Sequence, residues 1–393
     1  MKRPLRILHV TPSFYPAWAY GGIPRCAYEL CRELAVLGHE ITVWTSDVFD
    51  RDSRLGTAED TVDGIGIRRF RNLSNRLAHD FQLYVPLGIF RAAKEHVREF
   101  DLVHIHSHRH LLQVAVAKAA RAAQVPYVLT GNGTVPAIER YVGIKHVLDV
   151  LGVGSIVRDT AACVAVSRAE IPHYVNAGVP LDRIRVIPNG VRLAEFDQLP
   201  VAGEFRRTHG LGEGPLIVFV GKITPRKGVD VLLRALARLP EPVQLVVAGN
   251  FMMDERPIRA LVDELGLGHR VRFPGLLLGE ERNAAYVDAD VVAYPSIDEI
   301  FGLVAAEAIM CRSPVVVCGD SGCGELVRAC GGGEVVPYGD PAALAAALGR
   351  LLDNPAARAE HVRRAMAYVR ENLGWASIAA RTADLYAEIV ARG

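Results

Sequence analysis

LIVFVGKITPRKGVD, residues 216–230, joins a strand to a helix through a cationic turn. Leu216–Val220 is an unbroken apolar run, the pattern of a strand buried on both faces of a parallel sheet. Gly221 lets the backbone turn. Lys222, Arg226 and Lys227 bring three cations to one loop, and Gly228 opens an amphipathic helix through Val229, Leu232, Leu233, Leu236 and Leu239. Cations just beyond the carboxyl end of a strand lie where an open α/β sheet binds anionic ligands. Alone, the loop also reads as a solvated basic turn.

A second stretch narrows the choice. PSIDEIFGLVAAEAIMC, Pro295–Cys311, follows the apolar strand pattern Val291–Tyr294 and holds two carboxylates eight residues apart, Glu299 and Glu307. A helix starting near Gly302 would leave the first amides at Gly302, Leu303 and Val304 without intrahelical partners, which makes an anion site. Glu299 would lie on the loop before it and Glu307 one turn inside. Two hydroxyl acceptors flanking an anion hole suit a sugar joined to a phosphate. An ordinary helix with exposed acids is the plainer reading of this stretch.

Outward from these segments, strand-like and helix-like patterns alternate. Strands are expected at Leu5–Val10, Glu40–Thr45, Leu102–Ile105, Tyr127–Thr130 and Cys163–Val166. The second half adds Leu216–Val220, Gln244–Ala248, Val271–Phe273, Val291–Tyr294 and Val315–Val317. Pro24–Leu37 reads as a helix with proline in its first turn, and Trp375–Val390 as a last amphipathic helix. Such alternation predicts an α/β fold of parallel sheets covered by helices. Composition places the boundary in Ala194–Gly214, giving domains 1–195 and 196–374 and a terminal helix 375–393.

Length and composition agree. The 393 residues suit two or three domains, and half of them are hydrophobic. A net charge of +1 excludes a globally basic nucleic-acid binder. Seven scattered cysteines, without a close C-x-x-C pair, fit a reducing compartment better than a disulfide framework. The short apolar run Leu5–Val10 does not make a signal peptide, and no uninterrupted apolar stretch is long enough to span a membrane. A cytoplasmic protein is the simplest expectation, with peripheral contact to the inner membrane surface open.

Taken in order, VGKITPRKGVD, IDEIFGLVAAEA and GDSGCGELV (Gly319–Val327) resemble the carboxyl-terminal half of the retaining glycosyltransferases of family four. The N-terminal half is similar too. ILHVTPSFYPAWAYGGIPR carries the paired glycines Gly21 and Gly22, and VIPNGV (Val186–Val191) resembles the run-up to the family's domain linker. The resemblance implies the GT-B fold: two facing Rossmann-like domains, a nucleotide-sugar donor between them, and a last helix crossing back onto the first domain. It implies that Glu307 binds ribose hydroxyls and Glu299 the donor sugar. Lys222 and Lys227 would neutralise the diphosphate, helped by the backbone at Gly302, Leu303 and Val304. Gly21 and Gly22 would approach it from the N-terminal half.

Three positions depart from the family pattern. Lysine stands at 222 where relatives carry arginine, losing the bidentate fork; Arg226 is the candidate to compensate. Ile300 replaces the usual glycine after the first glutamate. Asn132, in VLTGNGTV, replaces a histidine; it can bond a sugar hydroxyl but cannot act as an acid or base near neutral pH.

The expected reaction is transfer of a glycosyl group from a UDP-sugar or GDP-sugar to an acceptor hydroxyl, saccharide or lipid-linked, with retention and without a metal. Lysines and helix amides would stabilise the departing diphosphate. A glycosidase scheme of acid plus nucleophile fits less well, because both glutamates flank the anion site. Two alternatives stay open: a nucleotide-sugar epimerase on the same fold, and a non-catalytic nucleotide-sugar binder.

His104, His106, His108 and His110 alternate, and in a strand they would share one face and could build a metal site. The apolar pattern ends near Ile105, so the last two are expected on a loop. His106 is then a candidate to meet sugar or acceptor, or equally a hydrogen-bonded structural histidine. Arg68, Arg69, Arg71 and Arg76 precede the apolar run Phe81–Phe90. That is either a solvated loop before a core helix or a patch for an anionic membrane surface.

Overall fold

A computed structural model describes residues 3–136 and 154–392. The chain divides into two compact units, residues 1–190 with 375–393, and residues 191–374. The division falls five residues before the 195/196 boundary expected from composition. The short helices Leu193–Phe196 and Glu204–Thr208, at and within the polar stretch read as the boundary, belong to the second unit.

The first unit is built on an eight-stranded sheet. Its strands are β1 (Arg6–Val10), β2 (Glu40–Ser46), β3 (Glu59–Val62), β4 (Ile65–Phe70), β5 (Leu102–His106), β6 (Tyr127–Thr130), β7 (Ala162–Ala165) and β8 (Ile184–Val186). The order is β3-β4-β2-β1-β5-β6-β7-β8, and every neighbouring pair is parallel except β3–β4. That antiparallel edge hairpin turns at Asp63-Gly64, both at positive φ, as a two-residue turn requires. The parallel-sheet expectation therefore holds for the body of the sheet and fails at this edge.

Helices cover the sheet, and the terminal helix Trp375–Arg392 packs on the helix Gly22–Val36. Leu30, Leu34, Ile378, Tyr386 and Ile389 join Ile7, Val43 and Ile65 in one apolar cluster. Burial of each large aliphatic group of this kind stabilises by about 1.5–3 kcal/mol.

The second unit carries a six-stranded, all-parallel sheet. Its strands are β9 (Leu216–Val220), β10 (Gln244–Ala248), β11 (Val271–Gly275), β12 (Val291–Tyr294), β13 (Val315–Cys318) and β14 (Gly333–Val336). Their order is β11-β10-β9-β12-β13-β14, the doubly wound Rossmann arrangement. Every side chain of β9, β12 and β13 is buried, which explains their unbroken apolar sequences. Strand order reverses between β9 and β12. In such sheets the crevice outside the carboxyl ends of the strands at the reversal receives ligands, and both segments that opened the sequence reading start there.

The cysteines are all free thiols, six of them buried, and burial raises the pKa of every one. Among the described residues no helix is long and apolar enough to cross a membrane.

Candidate active site

In the second unit the loop after β9 folds as a short 3-10 turn, Pro225–Lys227, and hands over to the helix Val229–Leu236 at Gly228. Gly228 has φ +65°, and a Cβ there would lie 2.4 Å from the carbonyl oxygen of Pro295. Only glycine permits that conformation and that approach together. The approach presses the β9 turn against the β12 loop, and two hydrogen bonds pin them. Ile297 N donates to Arg226 O at 2.9 Å, and Arg226 Nη2 donates to Asp298 O at 2.8 Å. The guanidinium read as a phosphate ligand thus also braces the loop.

The pinned loops bring Lys227 to Glu299. Their ammonium and carboxylate form a tight ion pair, each side chain about one-fifth exposed. Lys227 Nζ also donates to Tyr294 Oη at 2.5 Å and sits 4.8 Å from the centre of that ring. Tyr294 Oη donates to Glu299 Oε2 at 2.9 Å, and Ser296 Oγ donates to the same oxygen at 3.3 Å. Burial and the Glu299 carboxylate push the Tyr294 pKa up, so its proton stays in place. Lys222 lies exposed at the start of the same loop.

The predicted helix runs Leu303–Met310, capped by Gly302 at φ +74°. A Cβ on Gly302 would meet Cys323 Sγ at 2.5 Å and its Cβ at 2.6 Å, so conformation and packing again require glycine. Leu303 and Val304 open the helix, where backbone amides lack intrahelical acceptors. Glu307 is one turn inside, as the sequence indicated. Its carboxylate is paired: Arg282, from the helix Gly279–Asp288, donates to Glu307 Oε1 at 3.1 Å, with both side chains largely buried. Arg282 was not identified from the sequence. No local spacing links it to Glu307; the cue was only that a half-buried carboxylate needs a cation.

In the first unit, strand order reverses between β1 and β5. Gly21 and Gly22 lie after β1, where Gly22 opens the helix Gly22–Val36 and Gly21 has φ +102°. Both are exposed, with nothing within 4 Å of a notional Cβ. His106 closes β5 and is buried. Its Nε2 pairs with His9 Nδ1 at 3.0 Å. His104 pairs through Nε2 with Thr130 Oγ1 at 2.7 Å and through Nδ1 with Tyr386 Oη at 2.5 Å.

Nitrogens of His9, His104 and His106 lie within 4.8 Å of one another, yet these histidines are held by each other and by protein hydroxyls. Burial lowers all three pKa values, that of His106 to about 3, so they are neutral. His108 and His110 lie past the end of the strand and do not share this cluster, as the apolar pattern indicated.

His104, His106 and Asn132 line a small cavity of about 20 Å³, room for one water. Asn132 stands at φ +50° in a tightly braced turn. Gly131 N donates to Tyr174 Oη at 2.7 Å, Gly133 N to Glu170 Oε1 at 2.6 Å, and Asn189 Nδ2 to Asn132 Oδ1 at 3.2 Å. Val166 N donates to the other oxygen of Glu170 at 2.9 Å. Glu170 was missed in the sequence, although Ser167-Arg168-Ala169-Glu170 has the S-x-x-E signature of a helix start. Burial raises its pKa to about 7, against these two backbone donors.

The basic run is dispersed. Arg69 is buried against Thr57, Asp60 and Tyr15 O, Arg68 lies over the Trp44 and Phe70 rings, and Arg76 pairs with Asp52. The apolar run is neither a core helix nor wholly solvated. Tyr84 and Ile89 are buried, while Phe81, Leu83, Leu87 and Phe90 are exposed.

Two Rossmann-like units with this topology define the GT-B class of glycosyltransferase. Family models agree: one for glycosyl transferases group 1 matches residues 202–369, and one for glycosyltransferase family 4 matches residues 20–195. The D-inositol 3-phosphate glycosyltransferase of Xylanimonas cellulosilytica is 33% identical, over 98% of this chain and 96% of its own. Among solved structures, Anabaena HepE in complex with UDP superposes with a TM-score of 0.77 at 20% identity, covering 98% of this chain and all of that one. Sucrose-phosphate synthase from Thermosynechococcus elongatus gives 0.73 at 23% identity, covering 99% and 100%. The chain belongs to glycosyltransferase family 4, and it is a glycosyltransferase.

The Glu170 carboxyl gives a pH test. Its folded pKa is raised, so its contribution to stability is present below about pH 4.5 and is lost as pH rises through about 7. The difference amounts to about 3 kcal/mol. Glu170→Gln is expected to flatten this part of the stability–pH profile, read by urea unfolding between pH 5 and 8; an unchanged slope would refute the assignment.

Proposed function

We propose that this enzyme transfers a glycosyl group from a nucleoside diphosphate sugar to an acceptor hydroxyl with retention of anomeric configuration. The observation that carries the reading is the convergence of Lys227, Glu299 and the Gly302 helix start at the switch point of the second sheet, with Lys222 exposed on the same β9 loop. In this reading Lys222 and Lys227 take the diphosphate, with the amides of Gly302, Leu303 and Val304. Glu299 holds donor-sugar hydroxyls, and Glu307, oriented by Arg282, holds the ribose. Charge develops on the diphosphate as the glycosidic bond breaks, and cations already fixed by the fold stabilise it without reorganising at that moment. These cations make a divalent metal unnecessary.

Gly21 and Gly22 follow β1, at the switch point of the first sheet, and Asn132 follows β6; the proposal gives them contacts with donor or acceptor. The chemistry of Asn132 gives it the role of hydrogen-bonding a hydroxyl, not of exchanging protons; His106, buried and paired with His9, is held as a structural histidine. The UDP held by HepE makes UDP-sugars the first donors to try, ahead of GDP-sugars. The name of the Xylanimonas relative adds a phosphorylated polyol to the saccharide and lipid-linked acceptors. Exposed Phe81, Leu83, Leu87 and Phe90, near Arg71 and Lys94 in the chain, support peripheral contact with an anionic membrane on the cytoplasmic side.

Three measurements test this. In a thermal-shift panel, at least one UDP- or GDP-sugar should raise the melting temperature, and the glycoside formed from that donor should show the donor's anomeric configuration by NMR. An inverted product would sink retention. Glu307→Ala should weaken nucleotide affinity roughly tenfold or more by calorimetry while the protein stays folded, in line with loss of a charged hydrogen-bond acceptor. In co-sedimentation, vesicles containing phosphatidylglycerol should retain the protein and phosphatidylcholine vesicles should not, with Phe81→Ser/Phe90→Ser releasing it.

A further inference from the structure

The Lys227–Glu299 pair raises a conflict within the proposed site, and the inference that follows rests on that reading. Lys227 is assigned to the diphosphate and Glu299 to the sugar, yet in this structure each is the other's partner. Three donors converge on one carboxylate oxygen: Lys227 Nζ, Tyr294 Oη and Ser296 Oγ. The contact is built into the backbone. Gly228 against Pro295, the two bonds between the Arg226 and Ile297–Asp298 segments, and Gly322 N donating to Glu299 O at 2.8 Å fix both loops.

We infer that Lys227 and Glu299 form an exchange latch and that Tyr294 is its positioning residue. An arriving diphosphate offers Lys227 a stronger anion than one carboxylate. Lys227 can turn toward it while keeping its place over the Tyr294 ring, a contact the departure of Glu299 does not remove. Glu299 loses its cation but keeps the Tyr294 and Ser296 hydroxyls on Oε2, so its orientation survives. The carboxylate, no longer compensated, becomes the better acceptor for donor-sugar hydroxyls. Diphosphate and sugar subsites are thereby coupled, and the coupling is reciprocal. A bare nucleoside diphosphate must open the latch without gaining the sugar contacts that Glu299 offers in return.

The latch predicts a gain of binding on removal of a charge. Glu299→Gln should bind UDP or GDP without sugar about twofold to fivefold tighter than wild type, the scale of a partly exposed ion pair released, while turnover of the sugar donor falls. Asp298→Asn is the control, because it removes the same charge one residue away from an exposed side chain outside the pair. Equal tightening in both variants would mean a bulk field effect and would overturn the latch, as would no tightening in Glu299→Gln.

Tyr294→Phe keeps the ring and loses the hydroxyl. It should leave bare nucleotide affinity within about twofold while lowering kcat about tenfold or more, the loss of one orienting hydrogen bond in the transition state. Equal loss in both quantities, or in neither, would refute the positioning role. Should wild-type protein bind no nucleotide at all, the donor assignment itself falls and the latch with it. Binding by wild type without the Glu299→Gln gain removes only the latch.

Discussion

The approach of Gly228 to the carbonyl of Pro295 is the contact on which the candidate site depends. Strands β9 and β12 are neighbours because the sheet winds outward in both directions from that point. Adjacent strands alone, however, would leave their loops separate. The missing side chain at Gly228 lets the β9 turn drop onto the β12 loop, and the bonds through Arg226, Ile297 and Asp298 hold it there. Lys227 and Glu299 then meet through backbone placement, with little dependence on side-chain flexibility.

Charge compensation follows the same logic in the second unit. Each of the two glutamates the sequence singled out has its own cation, Lys227 for Glu299 and Arg282 for Glu307. Half-buried carboxylates without such partners would be strongly disfavoured. The site is thus arranged so that a polyanionic, polyhydroxylated ligand can exchange with interactions already present. In the first unit His9, His104 and His106 join a tyrosine and a threonine in an uncharged polar cluster, with His9 Nε2 left without a partner.

Much of this was legible in the sequence for a physical reason. Strands buried on both faces must be continuously apolar, so LIVFV, VVAY and their counterparts declared themselves. The helix start at Gly302 and the glutamate one turn inside it were readable because helix geometry is local. What was missed is non-local or polar. Strands β3 and β4 lie in a half-exposed edge hairpin that carries Glu59, Asp60, Arg68 and Arg69, so its apolar pattern is broken, although Asp63-Gly64 marked its turn. Arg282 and Glu170 act across long sequence separations. The arginine run looked like a patch because sequence adjacency conceals that Arg69 points inward while Arg76 pairs outward. The domain boundary shifted because the polar residues after Val191 fold into the second unit instead of linking the two.

The seven thiols carry a practical consequence. With six of them buried and every pKa raised, the native protein presents almost no thiolate, the form that attacks electrophiles. Alkylating reagents would therefore modify these sulfurs at a rate set by how often the surrounding structure opens. Cys163 on β7 and Cys318 on β13 are buried on strands one in from the edge of their sheets, in different units, so the order in which they become alkylated would time the opening of each unit separately within one intact chain.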